Sequence, residues 1–381
     1  MALVDRQLPS AEAEALLKLV REIADAELRP IAAEFEESSQ FPAQAFALLG
    51  QAGLLSLPYP EAYGGADLPF EVYLQVLEEL ASAWLAVGLG VSVHVLSCFP
   101  VATFGSEEQK RRFLPGMLSG EQIGAYCLSE TSSGSDAAAL TTRAVKQGED
   151  YVVDGAKAWI THGGVANYYN LMVRTGDPGP RGISCLLADR STAGLSAGAP
   201  ERKMGMNASP TTPILLDAAR VPSDRLVGDE GEGFTIAMAA LDSGRLGIAA
   251  CAVGLAQAAM DEAVAYARER EQFGQAIASF QGVSFLLADM SAKIQAARAL
   301  TLSAARRKDA GLPFGEAAAA AKLVATETAM SVTTDAVQVL GGAGYTKDFP
   351  VERYMREAKV LQIVEGTNQV QRLVLARDLL R

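Results

Sequence analysis

The spacing of apolar residues divides the chain into three regions of different predicted structure. In residues 10–120, apolar side chains recur three and four positions apart with charges opposite, the pattern of amphipathic helices. The first such segment carries Leu16, Leu17, Val20, Ile23, Ala24 and Leu28. Pro30 predicts a kink, and Ser106 followed three residues later by Gln109 predicts a capping box. We therefore expect a helical N-terminal domain, residues 1–121.

The middle and last regions differ from each other in residue composition and in the spacing of apolar residues. Between about residue 122 and residue 228, short runs rich in β-branched and aromatic residues alternate with Gly, Pro, Asp and Ser. This pattern predicts an antiparallel β-domain, assigned to residues 122–232. From Gly233 onward, long Ala-rich segments with wide apolar stripes predict helices that pack together in a bundle, residues 233–381. The predicted order is helical, β, helical.

Composition and charge place the chain among soluble globular proteins. Of its 381 residues, 49% are hydrophobic and 20% are charged, and the formal net charge is −12. An acidic chain is a poor partner for nucleic acid, whose phosphates need clustered positive charge. The first ten residues hold no long apolar run, so no secretory signal is expected. The longest apolar stretch, residues 246–256, is too short to span a bilayer, so we expect a cytoplasmic protein without membrane segments.

Cysteine and histidine offer little material for metal or triad chemistry. Cys98, Cys127, Cys185 and Cys251 are scattered without metal-ligand spacing, which predicts reduced structural thiols. Only two histidines exist, so a histidine-based metal site or a Ser-His-Asp triad is not expected. We predict a metal-free protein.

Glu365 interrupts an apolar segment near the C-terminus. It follows Val360, Leu361, Ile363 and Val364, precedes Gly366, and is followed by a further apolar run at residues 373–375. A buried carboxylate is costly unless it is paired or used. Taken alone, the segment is compatible with a helix end that tolerates an acid or with a capped turn.

Two segments of the β region could face a ligand. YCLSETSSGSD, residues 126–136, forms a loop dense in hydroxyls and free N–H groups, suited to an anion or to a polar cofactor edge, or it is an ordinary hairpin loop. In WITHGG, residues 159–164, Trp159 and Thr161 project to one face of a strand and could contact a flat heteroaromatic ligand. A core tryptophan at a strand end is the alternative. His162 points the other way and is predicted to pack rather than to catalyse.

Two segments of the helical region pair an arginine with a polar residue. In LDSGRLG, Asp242 and Arg245 lie on one helical face with Gly244 leaving room between them, which indicates a surface ion pair or a ligand clamp. In AREREQFGQAIASFQ, Arg270 and Gln281 flank a turn, where the arginine could meet a phosphate or simply end a helix.

QVLGGAGY, residues 338–345, contains a glycine-rich stretch but lacks the G-x-G-x-x-G pattern and a preceding strand. A Rossmann dinucleotide loop is therefore rejected, and the glycines are assigned to a helix end that allows close approach.

Taken in order, YCLSETSSGSD, WIT, LDSGR, ERxQFG, QVLGG and VEGT resemble the acyl-CoA dehydrogenase family over essentially the whole chain. The resemblance implies an N-terminal helical domain, a middle β-domain and a C-terminal four-helix bundle. It also implies a homotetramer with one FAD per subunit, active in fatty acid or branched-chain acyl metabolism. Such enzymes oxidise an acyl-CoA thioester to the trans-2-enoyl thioester and pass electrons to an electron-transfer flavoprotein.

The resemblance also implies roles for individual residues. The FAD site would consist of Tyr126, Cys127, Leu128, Ser129, Gly134, Ser135, Trp159, Ile160, Thr161, Arg270, Gln272, Phe273, Gln281, Gln338, Val339, Gly341, Gly342, Thr367, Asn368 and Gln369. The substrate would contact Ser135, Asp242, Ser243, Gly244, Arg245 and Gly366. Arg270 and Gln281 would reach the FAD pyrophosphate and adenosine portion of a neighbouring subunit.

Glu365 would be the catalytic base, taking the α-proton as a hydride leaves the β-carbon for flavin N5. Donors to the thioester oxygen would be a flavin ribityl hydroxyl and the backbone N–H of Glu365, and an apolar surround would raise the pKa of its carboxyl. Some relatives carry the base where this chain has Gly244, so the sequence resembles the short- and medium-chain arrangement. Departures from the family pattern are His162, where Asn is commoner, and the TSS run at residues 131–133 in place of a Pro-Gly pair.

Three other functions share this architecture. An acyl-CoA oxidase would use the same base and flavin with oxygen as acceptor, but such chains are commonly longer. Flavin monooxygenases of this type lack the base. A non-catalytic alkylation-response-type flavoprotein would bind nucleic acid, which the acidic charge argues against.

Overall fold

The computed structural model describes Val4 and residues 6–380. Its N-terminal region is helical, as the apolar spacing predicted. The helices are α1 (Ala11–Ile23), α2 (Ala32–Ser38), α3 (Ala43–Gln51), α4 (Phe70–Ala83), α5 (Leu85–Phe104) and α6 (Glu107–Leu118). The predicted interruption at Pro30 is a π-helical turn followed by a 3₁₀ turn between α1 and α2. The capping box of Ser106 and Gln109 is present at the start of α6.

The middle region forms one eight-stranded sheet. Its strands are β1 (Gly124–Cys127), β2 (Arg143–Gln147), β3 (Asp150–Thr161), β4 (Tyr168–Arg174), β5 (Ile183–Asp189), β6 (Leu195–Ala197), β7 (Thr211–Pro222) and β8 (Leu226–Val227). They lie in the order β6-β7-β3-β2-β4-β5-β8, and β1 pairs with β4. Most strand pairs are antiparallel, as predicted, but β1 runs parallel to β4 and β2 meets β4 in a parallel sense at one position. The β2–β3 hairpin intervenes between β1 and β4, and such a connection allows parallel pairing.

The C-terminal region is a helical bundle that begins with a very long helix. Its described helices are α7 (Gly233–Glu269), α8 (Gln281–Asp309), α9 (Gly315–Leu340), α10 (Val351–Leu361) and α11 (Asn368–Leu379). A two-stranded hairpin, β9 (Glu271–Gln272) and β10 (Gln275–Ala276), joins α7 to α8. The short α10 is additional to the four helices that the family resemblance implied. Helix α7 packs against α4, α5, α8 and α9 and so connects the N-terminal and C-terminal helical regions.

Two helices, α5 and α7, are long and apolar enough to cross a membrane by length and composition alone. Most of each is buried inside the protein, which is the ordinary environment of a core helix. The expectation that residues 246–256 form the longest apolar stretch was wrong, since α5 is a predominantly apolar segment of 20 residues. All four cysteines are buried and free of disulfides, which agrees with the predicted structural thiols.

Candidate active site

Glu365 lies in the turn that joins α10 to α11. Its φ is +53° and that of Gly366 is +91°, so two successive residues adopt the left-handed conformation. For a residue with a side chain this conformation costs about 1–2 kcal/mol. Thr367 then caps α11 by accepting a hydrogen bond from the Val370 N–H at 3.3 Å. The turn therefore keeps Glu365 in a conformation that persists only where surrounding contacts enforce it.

The carboxylate of Glu365 is buried without a partner. Neither of its oxygens accepts a hydrogen bond from any residue that the structure describes. Burial raises the pKa of this carboxyl to about 7, although the positive charges of Lys322 and Arg245 act to lower it. A buried acid with unused acceptor oxygens and a pKa near neutrality is a strong candidate for proton transfer.

A cavity of about 230 Å³ is lined by Gly244, which lies against this carboxylate. The cavity is bounded by α4, α5, α7 and the end of α8, next to the segment that precedes α4. Its lining residues are Pro58, Tyr59, Pro60, Phe70, Tyr73, Ser92, Val95, Leu96, Phe99, Ala102, Thr103, Ser243, Gly244 and Lys308. Most of these side chains are apolar or aromatic, with a few polar groups among them, as is typical of a pocket for a small organic ligand.

Gly244 lies between the cavity and the carboxylate of Glu365. A Cβ atom added at Gly244 would lie only 2.1 Å from Oε2 of Glu365 and 3.2 Å from Cδ1 of Leu96. The glycine therefore leaves the space that the carboxylate occupies, and any larger residue there would displace it. A side chain at position 244 and the carboxylate of Glu365 would therefore compete for the same space.

The segment around Gly244 also contains the predicted ion pair. Arg245 Nη1 donates to Oδ1 of Asp242 at 2.5 Å, and the arginine is buried while the aspartate is partly exposed. The hydroxyl of Ser243 is buried and lacks a partner among the described residues. The ion pair is therefore present, but it is not the predicted surface pair, because Arg245 is buried. Its position next to the cavity keeps the ligand-clamp hypothesis open.

The β-sheet presents an aromatic side chain at a bulge. One extra residue of β3 interrupts its pairing with β7 between Lys157 and Ile160, and Trp159 within this bulge has φ +58°. Trp159 is 52% exposed and Thr161 is partly exposed, whereas Ile160 is buried in the sheet core. The alternative of a core tryptophan is therefore wrong. Trp159 and Thr161 both lie outside the core, but they do so through a bulge rather than through regular strand alternation.

Comparisons with known proteins match nearly the whole chain to one family. Sequence models described as acyl-CoA dehydrogenase N-terminal, middle and C-terminal domains match residues 10–121, 125–219 and 231–380. An acyl-CoA dehydrogenase of Bacillus subtilis is 45% identical, over 95% of this chain and 96% of its own length. The structure of butyryl-CoA dehydrogenase from Megasphaera elsdenii has a TM-score of 0.96 and 39% identity, covering 99% of this chain and 100% of that one.

A second solved structure is equally similar. It is described as an electron transferring flavoprotein of Acidaminococcus fermentans, in work towards a mechanism of flavin-based electron bifurcation. Its matching chain has a TM-score of 0.97 and 42% identity, covering 99% of this chain and 100% of that one. The chain belongs to the acyl-CoA dehydrogenase family. It is therefore a flavoprotein oxidoreductase that acts on acyl-CoA and uses FAD.

Several features of this acyl-CoA dehydrogenase fit an extended flavin cofactor. The hydroxyl of Tyr126 and the amide nitrogen of Asn368 are buried without partners among the described residues. Gly134, Gly341 and Gly342 have open space where a side chain would stand, so their backbones are accessible. Together with the exposed ring of Trp159, these groups suit a ligand that combines a planar ring with polar edges.

The proposed FAD residues differ in whether their side chains or only their backbone groups are available to a ligand. The side chains of Cys127, Leu128, Ile160 and Val339 are buried in the cores, which leaves their backbone groups for contact. Ser135, Gln338 and Gln369 are exposed, Ser129, Tyr126 and Thr367 are partly exposed, and Asn368 is buried. Arg270, Gln272, Phe273 and Gln281 are all exposed on or beside the β9–β10 hairpin, where Phe273 is 95% exposed.

The hairpin residues lie far from Glu365 within one chain. Gly244 lies within α7 and Arg270 directly follows its last residue, 26 positions later. At 1.5 Å per residue this separation corresponds to roughly 39 Å. A single chain therefore does not bring Arg270 to the carboxylate of Glu365. This separation is compatible with the hypothesis that the hairpin serves a neighbouring copy.

Sequence reasoning named Ser243 and Gly244 of the cavity wall but none of its residues from α4 and α5. Tyr73, Ser92, Leu96 and Phe99 sit at helical spacing within strongly apolar segments, and that pattern is the same for a core residue and for a pocket residue. Lys322 was also missed, because a lysine in an Ala-rich helix is usually exposed. The only available signal was the polar Ser92 and Ser243 within otherwise apolar helices.

Proposed function

We propose that the protein catalyses the α,β-dehydrogenation of a short-chain acyl-CoA to the trans-2-enoyl-CoA, with Glu365 as the base. The observation that carries the proposal is the unpartnered carboxylate of Glu365, which lies against Gly244 at the wall of the cavity. A buried carboxylate without partners is costly. A substrate α-carbon presented from the cavity would give this group a proton to accept.

The protonation behaviour of Glu365 suits this role. A general base works best when its pKa lies near the operating pH. Burial raises the pKa of Glu365 to about 7, while Lys322 and Arg245 restrain the rise. Part of the population is then deprotonated at neutral pH and keeps appreciable basicity. When bound, FAD supplies the acceptor for the hydride that leaves the β-carbon.

The backbone at Glu365 offers a second contribution. Of the hydrogen bonds found in the described part of the chain, none uses the backbone N–H of Glu365. As the α-proton leaves, negative charge develops on the thioester oxygen, and a fixed N–H donor stabilises it. We therefore assign to Glu365 both the removal of the proton and a hydrogen bond to the thioester oxygen.

The cavity favours a small acyl group. Its walls include Leu96, Val95 and Phe99 of α5, and its volume is about 230 Å³. The similar structure of a butyryl-CoA dehydrogenase supports a short linear chain. A short methyl-branched chain of comparable volume is the second candidate, since an apolar pocket discriminates weakly between isomers of one size.

We further propose that electrons leave through an electron-transfer flavoprotein and that the enzyme is a homotetramer. The similar chain from the Acidaminococcus fermentans flavoprotein structure supports the first proposal. The exposed ring of Phe273, at the far end of α7 from Gly244, supports an interface there, since a large aromatic side chain is rarely so exposed in a monomer. Light scattering should give four times the chain mass.

Flavin bleaching tests the proposed reaction. The FAD-loaded protein is mixed anaerobically with straight and branched acyl-CoAs from C4 to C16, and the flavin absorbance is followed. We expect the fastest bleaching with short chains, followed by slow reoxidation in air and fast reoxidation by electron-transfer flavoprotein. Fast reoxidation in air would favour an oxidase. The absence of bleaching by every acyl-CoA would overturn the proposed function.

A further inference from the structure

Lys322 on α9 is a fully buried lysine with an exposed fraction of 0%. Its Nζ donates to the carbonyl oxygen of Gly366 and to Oδ1 of Asn368, both at 2.9 Å. Among the described residues it forms no ion pair, so its hydrogen-bonding partners are neutral. An ammonium group is expensive to bury, and two hydrogen bonds to neutral acceptors offset that cost only partly.

Both acceptors of Lys322 belong to the turn that carries Glu365. The carbonyl of Gly366 also accepts from Nε2 of Gln371 at 2.8 Å, so it is held from α9 and from α11. Oδ1 of Asn368 also accepts from the hydroxyl of Thr326 at 3.0 Å. The left-handed backbone at Glu365 is thus fixed immediately downstream by a lysine of another helix, which supplies the restraint that such a conformation requires.

The charge of Lys322 faces the Glu365 carboxylate within a largely neutral surround. The other titratable groups that interact with this carboxylate are Arg245 and Cys251 of α7, Tyr73 of α4 and Tyr126 of β1. Of these, only Arg245 is cationic, and it is already paired with Asp242. Burial lowers the pKa of Lys322 to about 8, while the nearby Glu365 acts to raise it, so the ammonium remains mostly charged at pH 7.

We propose that Lys322 is a positioning residue for the base: through Gly366 and Asn368 it fixes the turn that aims the Glu365 carboxylate and N–H at the cavity, and its charge favours the carboxylate form. This proposal rests on the proposed function of Glu365. It explains why a lysine without a carboxylate partner is kept in the interior of the bundle.

The test compares Lys322→Met with Thr326→Val in the FAD-loaded enzyme. Methionine keeps the volume but removes the donors and the charge, whereas valine removes one neutral hydrogen bond to Asn368. We expect Lys322→Met to slow flavin reduction by butyryl-CoA about 10–100-fold, since small misplacements of a catalytic group have effects of that size. We also expect the acid limb of its pH–rate profile to move to higher pH, because loss of the cation raises the pKa of Glu365. Thr326→Val should keep the wild-type pH limb.

Two further substitutions of Lys322 and one double variant keep the test decisive. Lys322→Arg, which keeps the charge, should restore the position of the acid limb, and Lys322→Gln replaces Lys322→Met if the latter does not fold. In a Glu365→Gln background the rate effect of the lysine substitution should vanish, because the group it positions is absent. A wild-type rate and a wild-type pH limb in both Lys322→Met and Lys322→Gln would overturn the proposal.

A measurement independent of turnover separates this proposal from the proposed function. The difference in unfolding free energy between the unsubstituted chain and the Glu365→Gln variant, followed across pH, reports the titration of Glu365. Substitution of Lys322 in both chains should move that titration to higher pH even if no acyl-CoA bleaches the flavin. An unmoved titration would contradict the electrostatic part of the proposal, whereas absent bleaching with a moved titration would contradict only the reaction.

Discussion

Glu365 and Glu357 are two buried glutamates separated by a few residues, yet their surroundings differ in one decisive respect. Both have carboxylate oxygens without hydrogen-bond partners among the described residues, and burial raises the pKa of Glu357 to about 8 and that of Glu365 to about 7. Glu357 is part of α10, and its Oε1 lies 3.6 Å from Nε of Arg353. The backbone of Gly205 packs closely against the backbone of Glu357. Glu365 instead lies against Gly244, which lines the cavity. A raised pKa therefore marks burial, whereas access to a cavity marks a candidate catalyst.

The largest expected difference is in the chemical step. Glu365→Gln should slow anaerobic flavin reduction by butyryl-CoA at least about 1,000-fold, within the range attributed to general bases, because the amide cannot accept the α-proton. Glu357→Gln is the matched control and should leave the rate within about threefold of wild type, since Glu357 packs against Gly205 and not against Gly244 of the cavity wall. Stopped-flow absorbance measures both. Equal losses in the two variants would erase the distinction between the two acids.

A smaller effect is expected from filling the space at Gly244. Gly244→Ala places a Cβ 2.1 Å from Oε2 of Glu365, so the carboxylate must move, and we expect a loss of about 10–100-fold in flavin reduction. Gly282→Ala in α8, where a Cβ meets no atom within 4 Å, serves as the control and should be neutral. A wild-type rate for Gly244→Ala, with the flavin bound, would show that the carboxylate has room that the structure does not show.

The smallest expected effect is one that the two acids share. A carboxyl whose pKa is raised in the folded state contributes stability below its unfolded pKa of about 4.5, and that stability is lost as pH rises through the folded value. Glu365→Gln and Glu357→Gln should therefore each raise the unfolding free energy at pH 9 by about 1–3 kcal/mol, with no gain near pH 4.5. The loss of stability in the wild type should centre between pH 4.5 and about 7 for Glu365, and between pH 4.5 and about 8 for Glu357. Urea unfolding across pH 4.5–9 measures this.

Measuring both stability and activity in the two variants tests whether burial and function are separate properties of these glutamates. If both variants gain stability and only one loses activity, then burial and function are separated experimentally. A stability gain confined to one variant would instead mean that the two carboxyls are not similarly desolvated.

The order of helices and strands followed from local patterns, and Glu365 followed from its motif. What the sequence could not reveal were the places where distant elements meet. Tyr73, Leu96 and Phe99 line the cavity with the same spacing that a core residue has, so no local signal separates them. The bulge at Trp159 depends on the pairing of β3 with β7, and the parallel pairing of β1 depends on strand order. Lys322 looks like a surface lysine until α11 covers it.

The cavity has a consequence for fragments of the enzyme. Its walls come from α4 and α5 of the N-terminal region and from α7 and α8 of the C-terminal region, whereas the proposed base lies between α10 and α11. A fragment beginning at Gly233 would retain Glu365, Gly244 and Lys322 but would lose two of the four helices that line the cavity. Neither half completes the cavity by itself, so the cavity forms only when the two helical regions dock.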